Sequence, residues 1–187
     1  MSPFLPAVWM ALPVVLGGLA HVAVIRLDLL PSLARIPLDG GLTFRGRPLF
    51  GPNKTLRGLL VMITATALGS LVLAHLGSVG LAAVEPQIRW PLGWGACLGL
   101  GYLLGELPNS FLKRQLDVPP GGEALGRGRL FFSFLDQADS LVGVVLVARC
   151  ITPLPCPVMA WLLVLGLVIH PLVGLLMIQL GLKRRLG

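Results

Sequence analysis

Residues 4–25 read FLPAVWMALPVVLGGLAHVAVI, a run that contains no Asp, Glu, Lys or Arg. An α-helix rises 1.5 Å per residue and the hydrocarbon layer of a bilayer is ~30 Å thick, so about 20 such residues make one span. The run is long enough. Further apolar blocks follow at residues 59–76, 91–107, 130–148 and 158–182. They are continuous rather than alternating, which excludes an outer-membrane barrel, and continuous blocks satisfy their own backbone only as helices. The composition agrees: 187 residues that are 55% hydrophobic and 12% charged, with a mean hydropathy of +0.86, leave too little polar surface for a soluble globule. The sequence therefore predicts an all-α, polytopic membrane protein with five transmembrane helices, one domain over residues 1–187.

Charge sets the expected orientation. Lys and Arg total 15 against 8 Asp and Glu. In a membrane protein this surplus first marks the cytoplasmic loops, so nucleic acid is not the expected partner. With five spans, 13 of the basic residues share one side, in residues 26–57, 113–129 and 183–185, while Arg89 and Arg149 fall on the other. Four spans would export the basic tail and weaken the split. The N-terminus is thus expected outside and the C-terminus in the cytoplasm, in the cell membrane. Residues 1–25 also lack the basic start of a cleaved signal peptide and should remain as a span. Trp9, Trp90, Trp94 and Trp161 fall toward the predicted outer ends, where interfacial anchors belong. Cys97, Cys150 and Cys156 are too few and too scattered for a structural zinc site, and the Thr-Pro-Leu-Pro run at 152–155 holds the last two too extended for a ready disulfide.

The unusual polar residues then lie on the cytoplasmic face. In FLDQADSLVGVVL, residues 134–146, Asp136 and Asp139 enter an apolar run at i and i+3, on one face of a helix. Acids near hydrocarbon cost roughly 2–3 kcal/mol each on insertion scales, so they are paired, hydrated or functional. Two oxygen ligands on one face suit Mg²⁺, which takes one or two carboxylates together with waters and phosphates. The plainer alternative is a solvated helix start with dipole-matched acids. Lys54, Arg57, Lys113 and Arg114 come from two loops on the same side, and cations beside an acidic metal site suit phosphate. The plainer alternative here is the positive-inside effect and attraction to anionic headgroups. The backbone around Gly51 offers further amides. Residues 37–58 are too rich in Gly and Pro for a helix, and with Phe44, Leu49 and Phe50 they read as an ordered turn segment at the membrane surface. GRPLFGPNKT, residues 46–55, is not a P-loop, because Pro52 and Asn53 separate the second Gly from the Lys. His21, His75 and His170 read as helix-packing residues.

Taken together, residues 37–41 (PLDGG), 44–58 (FRGRPLFGPNKTLRG), 110–114 (SFLKR) and 135–139 (LDQAD) resemble the CDP-archaeol synthase family, itself related to the bacterial phosphatidate cytidylyltransferases. The resemblance covers nearly the whole chain, five spans included. It implies transfer of CMP from CTP to a membrane lipid phosphate, archaetidic-acid-like or phosphatidate-like, giving CDP-lipid and pyrophosphate with Mg²⁺ as cofactor. By position, Asp136 and Asp139 match the family's acid pair, Ser110, Lys113 and Arg114 its Ser-x-x-Lys-Arg motif, and Lys54 and Thr55 its first-loop Lys-Thr. The chain departs from the pattern at Gly51-Pro-Asn-Lys-Thr55, where archaeal members tend to have Gly-Asp-Gly-Lys-Thr, and again at residues 118–123 (VPPGGE).

A lipid phosphate is already an anionic nucleophile at neutral pH, so the reaction requires positioning and charge neutralisation rather than a His or Ser base. The expected roles are Asp136 and Asp139 for the metal, Lys113 and Arg114 for the CTP phosphates, and Lys54 and Arg57 for CTP or the lipid phosphate. Asp39, Gly51, Asn53, Thr55 and Ser110 are expected in substrate binding or orientation, and Glu106 as a possible addition to the metal shell. The CDP-alcohol phosphotransferases are set aside because Asp39-Gly-Gly-Leu-Thr lacks their longer Asp array. A transporter or assembly subunit using Asp136 and Asp139 as an ion site is the rival reading.

Overall fold

The computed structural model describes residues 2–76, 89–122 and 128–181. In chain order these form α1 (Phe4–Arg26), a four-residue α2 (Pro31–Ala34), a hairpin of β1 (Thr43–Phe44) and β2 (Arg47–Pro48), α3 (Leu56–Leu76), α4 (Pro91–Gln115), α5 (Gly128–Ile151) and α6 (Cys156–Gln179). The basic tail at 183–185 and Arg127, both assigned above to the cytoplasmic side, lie outside the described residues.

Four of the five long helices, α1, α3, α5 and α6, are long and apolar enough to cross a membrane. The expectation was five. The fifth, α4, has the length but is rich in Gly and carries Glu106, Lys113 and Arg114. It is nonetheless an integral member of the bundle. The helices pack α1 on α3, α3 on α4, α4 on α5, α5 on α6 and α6 back on α1, closing a ring. Successive neighbours run antiparallel, so an odd number of helices brings α1 and α6 together in parallel, with the Phe4 and Trp161 rings 5.1 Å apart near their starts.

Glycine makes this closure possible on both sides of α4. A Cβ at Gly99 would lie 2.8 Å from the Met62 carbonyl oxygen, and one at Gly95 would lie 2.7 Å from the Ala67 Cα, so this Gly-x-x-x-Gly pair faces α3. Six residues further on, Gly101 and Gly105 turn to α5, where a Cβ at Gly143 would lie 2.7 Å from the Gly105 Cα. Small residues at both seams let the backbones approach closely, the usual basis of helix association where lipid removes the hydrophobic drive.

The residues at 109–115 form a helix, not the loop expected there. Pro108 lies inside α4, which continues to Gln115 and places Lys113 and Arg114 in its last turn. A proline within a membrane helix is tolerated when neighbouring groups satisfy the backbone that it frees. Residues 37–58 are the ordered turn segment expected, but Phe44 packs on Phe111 of α4, with ring centroids 5.8 Å apart. Trp94 is not an interfacial anchor. It is fully buried with Ala7, Met10, Leu98, Val145 and Ala148, in an apolar core at the end of the bundle formed by the start of α1 and the end of α5. Cys150 and Cys156 are free and exposed. The opposite end holds the site.

Candidate functional site

A cavity of about 440 Å³ opens among the helices. Its polar part is built on the last two turns of α4 and the middle of α5. Asn109 projects from α4 and donates from Nδ2 to Asp136 Oδ1 and Asp139 Oδ2, each at 2.7 Å. The i and i+3 spacing on α5 thus does what the sequence predicts, since one amide spans both carboxylates. Lys113, one helical turn beyond Asn109, pairs with Asp136 Oδ2 at 2.5 Å. The backbone N–H of Ser140 donates to Asp139 Oδ1 at 2.5 Å. Asn109 is 5% exposed and its Oδ1 has no hydrogen-bond partner.

Arg114 lines the same cavity and is 8% exposed, with Nε and Nη1 both lacking a partner. A buried guanidinium without an acceptor is expensive, which makes it a site for an anion. Lys54 reaches in from the loop before α3 and pairs with Glu106 of α4. Glu106 was expected as an added metal ligand; its partner is this ammonium instead. Asn53 and Ser110 also line the cavity.

Four expected residues lie outside the cavity lining, Gly51 among them, its N–H held by Asp39. Arg57 donates from Nη1 to Asp28 Oδ1 at 3.2 Å and to the Leu29 carbonyl at 3.1 Å, and so ties the start of α3 to the end of α1. Thr55 Oγ1 accepts from the Gly58 N–H at 3.3 Å, as a helix cap does. Asp39 is 6% exposed and accepts from the N–H groups of Gly41 at 3.0 Å, Phe50 at 2.9 Å and Gly51 at 3.1 Å. Burial pushes its carboxyl up, but the amides of Phe50, Gly41 and Gly51 outweigh burial and hold it below the ordinary value. Asp39 shapes the loop from within rather than touching the cavity.

The loop is also pinned from outside. Arg47, on β2, binds the carbonyl of Gln115, the last residue of α4, and Asp117 just beyond it, and Gln115 Nε2 donates to the Pro48 carbonyl at 3.3 Å. Sequence reasoning missed this clamp, because its partners are some 70 residues apart and each looks like an ordinary surface residue. It also missed His21 and His170. Both line the cavity, and His170 Nδ1 lies 2.8 Å from Gln137 Oε1. Their signal was present, since each is an isolated imidazole in an apolar helix, where a polar side chain usually faces a cavity or partner.

A family model described as CarS-like, CDP-archaeol synthase, matches residues 5–185. The chain belongs to this family. It is 32% identical over 179 residues to the CDP-archaeol synthase of Pyrococcus furiosus, covering 91% of this chain and 90% of that one. It is 33% identical over 150 residues to that of Methanopyrus kandleri, covering 79% and 77%. A solved structure described as an intramembrane enzyme for archaeal membrane lipids biosynthesis superposes with a TM-score of 0.64 at 24% identity, covering 92% of this chain and 94% of that one. This last likeness shows that the chain shares the fold of that enzyme.

The oxygen donors fit a hard divalent cation. Two carboxylates face each other across the Asn109 amide, and the Asn109 Oδ1 is a buried acceptor without a donor. Among the described residues no group of three or more His, Cys, Asp or Glu could hold a metal, so a cation here would draw the rest of its shell from water and substrate phosphate. That is the shell Mg²⁺ prefers.

Proposed function

We propose that the protein transfers CMP from CTP to a membrane lipid phosphate, releasing pyrophosphate and leaving a CDP-activated lipid for phospholipid synthesis. The observation that carries this reading is the juxtaposition, in one cavity, of Asp136 and Asp139 with the unpartnered buried guanidinium of Arg114. The family membership supports the reaction class.

Asp136 and Asp139 would hold Mg²⁺, with Asn109 keeping the two carboxylates in register. Bound there, the ion would neutralise the triphosphate and polarise the α-phosphorus. The remaining steps belong to the side chains. Arg114 forks onto phosphate oxygens of CTP, and Lys113, one residue before it, adds a point charge that favours the pyrophosphate as it leaves. Lys54 faces the lipid phosphate, whose oxygen attacks the α-phosphorus while the bond to pyrophosphate breaks. The pyrophosphate takes the electron pair, and no proton has to move. Asn53 and Ser110 offer polar contacts at the rim, and Asp39 keeps Lys54 aimed inward by stapling its loop. The site would face the cytoplasm, where CTP is made.

The test is purified protein in detergent with CTP, Mg²⁺ and a long-chain lipid phosphate, followed by mass spectrometry of the lipid product. CDP-lipid and pyrophosphate in equal amounts are expected. Ion flux in reconstituted vesicles with no lipid-dependent pyrophosphate release would favour the transporter reading instead. A mixed pool of ether- and ester-linked phosphates in the same assay identifies the preferred lipid.

A further inference from the structure

The helices α1 and α6 form the apolar wall of the cavity, through residues such as Val14, Val15 and Val22 on one and Leu162, Ile169 and Val173 on the other. Each carries a single imidazole, His21 and His170, and both open into the cavity. Both line it together with Glu106, the partner of Lys54. Gln137 of α5 joins the group through His170. Isolated polar side chains on otherwise apolar membrane helices are costly and mark sites of use. The hydrogen bonds that build the acidic cluster run among Asn109, Lys113, Asp136 and Asp139.

We propose that His21, His170 and Gln137 form a second polar sub-site that holds the phosphate-ester end of the lipid substrate, next to Lys54 and apart from the triphosphate site. This rests on the cytidylyl-transfer reading and adds the residues that recognise the acceptor. The chemistry matches at both ends. The ester and glycerol oxygens of a lipid phosphate are acceptors, and imidazole N–H and carboxamide N–H groups are donors. Glu106 is an acceptor only, so it cannot bind phosphate itself; it holds Lys54 beside the histidines. The sub-site sits where the cavity wall passes from polar to apolar, as a phosphate-bearing end continued by hydrocarbon requires. The chains would lie along α1 and α6, which meet as the two parallel helices of the ring.

The experiment uses the full-length protein in micelles, with His21→Phe, His170→Phe, Gln137→Leu and the donor-retaining His170→Gln and His21→Asn. KM is measured separately for CTP and for a long-chain lipid phosphate. Loss of one hydrogen bond to a charged group corresponds to about 10-fold or more, so the Phe variants should raise the lipid KM by that factor and leave the CTP KM within about two-fold. His170→Gln should recover most of the loss. An unchanged lipid KM in both Phe variants overturns the proposal, as does an equal rise in both constants, which marks a packing role. Where a Phe variant does not stay monodisperse, direct binding of the lipid phosphate without CTP decides: Gln137→Leu should weaken it about 10-fold while His170→Gln and His21→Asn stay within a few-fold of wild type, and unchanged binding in Gln137→Leu overturns the proposal. A wild-type chain that makes no CDP-lipid defeats the cytidylyl-transfer reading and this one with it, whereas an active wild type with insensitive histidines defeats this one alone.

Discussion

Gly51 and Arg114 are fitted to each other: a Cβ on residue 51 would come within 3.3 Å of the Arg114 Cδ. The glycine has φ +88, in the region that side chains avoid, and its N–H is fixed by Asp39. The loop thus presses bare backbone against the guanidinium stem and leaves Nε and Nη1 facing the cavity without partners. Gly51→Ala should strain the turn and displace the Arg114 side chain together. The expected result is a rise of roughly ten-fold in the KM for CTP, equal to about 1.4 kcal/mol, with the lipid KM less affected. CTP titration of the variant checks it.

Arg114 itself separates stability from function. A buried charge without a counter-charge destabilises the fold, and replacing such groups with apolar ones of similar size is often neutral or stabilising. Arg114→Met is therefore expected to keep or raise the unfolding temperature in detergent while cytidylyl transfer falls about 10- to 100-fold, the loss of one or two charge-assisted bonds. A variant that lost stability in proportion to activity would assign Arg114 to the scaffold.

Asp136→Asn and Asp139→Asn should each abolish Mg²⁺-dependent turnover without preventing insertion or monodispersity. Retention of more than about a tenth of the activity, or 1.4 kcal/mol of barrier, would count against direct metal ligation. Removing the cation with chelator should have the same effect on the wild-type chain. Asp136→Asn also leaves Lys113 without its carboxylate, so some loss of stability should accompany it and none of that kind should accompany Asp139→Asn.

Asp39 predicts an acid dependence with a definite sign. Its folded carboxyl lies below the ordinary value of 3.8, so its ionised form supports the loop at all pH above that value. The support is lost as pH falls below 3.8 and through the lowered folded value, where three backbone N–H groups lose a charged acceptor. Asp39→Ala should loosen residues 37–58 at neutral pH already, with faster tryptic cleavage after Arg45 and weaker use of both substrates. Equal cleavage rates for variant and wild type would rule out the stapling role.

Much of this was legible in the residues. The apolar runs gave the helices because length and continuity are local properties, and the spacing of Asp136 and Asp139 gave their common face for the same reason. What escaped was set by packing. Helix α4 runs through Pro108 because its neighbours hold it, and Trp94 is buried because the ring of helices closes around it. Lys113 and Arg114 follow one another in sequence yet meet different surroundings, Asp136 in one case and Gly51 in the other. Asp39 and Thr55 look like substrate contacts in a list of polar residues, and only the loop's hydrogen bonds show that they act on backbone. His21 and His170 line the cavity only because the ring of helices closes around it.

The apolar wall between α1 and α6 predicts which acceptors work. Drawing a long chain out of the bilayer would cost about 0.8 kcal/mol per CH₂, so a site for a lipid phosphate must meet the headgroup at the membrane and leave the chains in hydrocarbon. The cavity joins its polar end, at Lys54 and Asp136, to a wall of Val, Leu and Ile that suits this arrangement. Apolar walls discriminate weakly, about 10- to 200-fold at best for a group added or removed, because they reject little that is merely a different shape of hydrocarbon. Long-chain lipid phosphates that differ in chain type should therefore be used within a few-fold of one another. Glycerol 3-phosphate, which has the phosphate but no chains, should be almost inert at the same concentration. Adding a short-chain lipid phosphate series in the same micelles should show activity climbing with chain length until the apolar wall is filled and then levelling off. If glycerol 3-phosphate turned over as well as the lipids, entry from the bilayer and a membrane-lipid acceptor would both have to be abandoned.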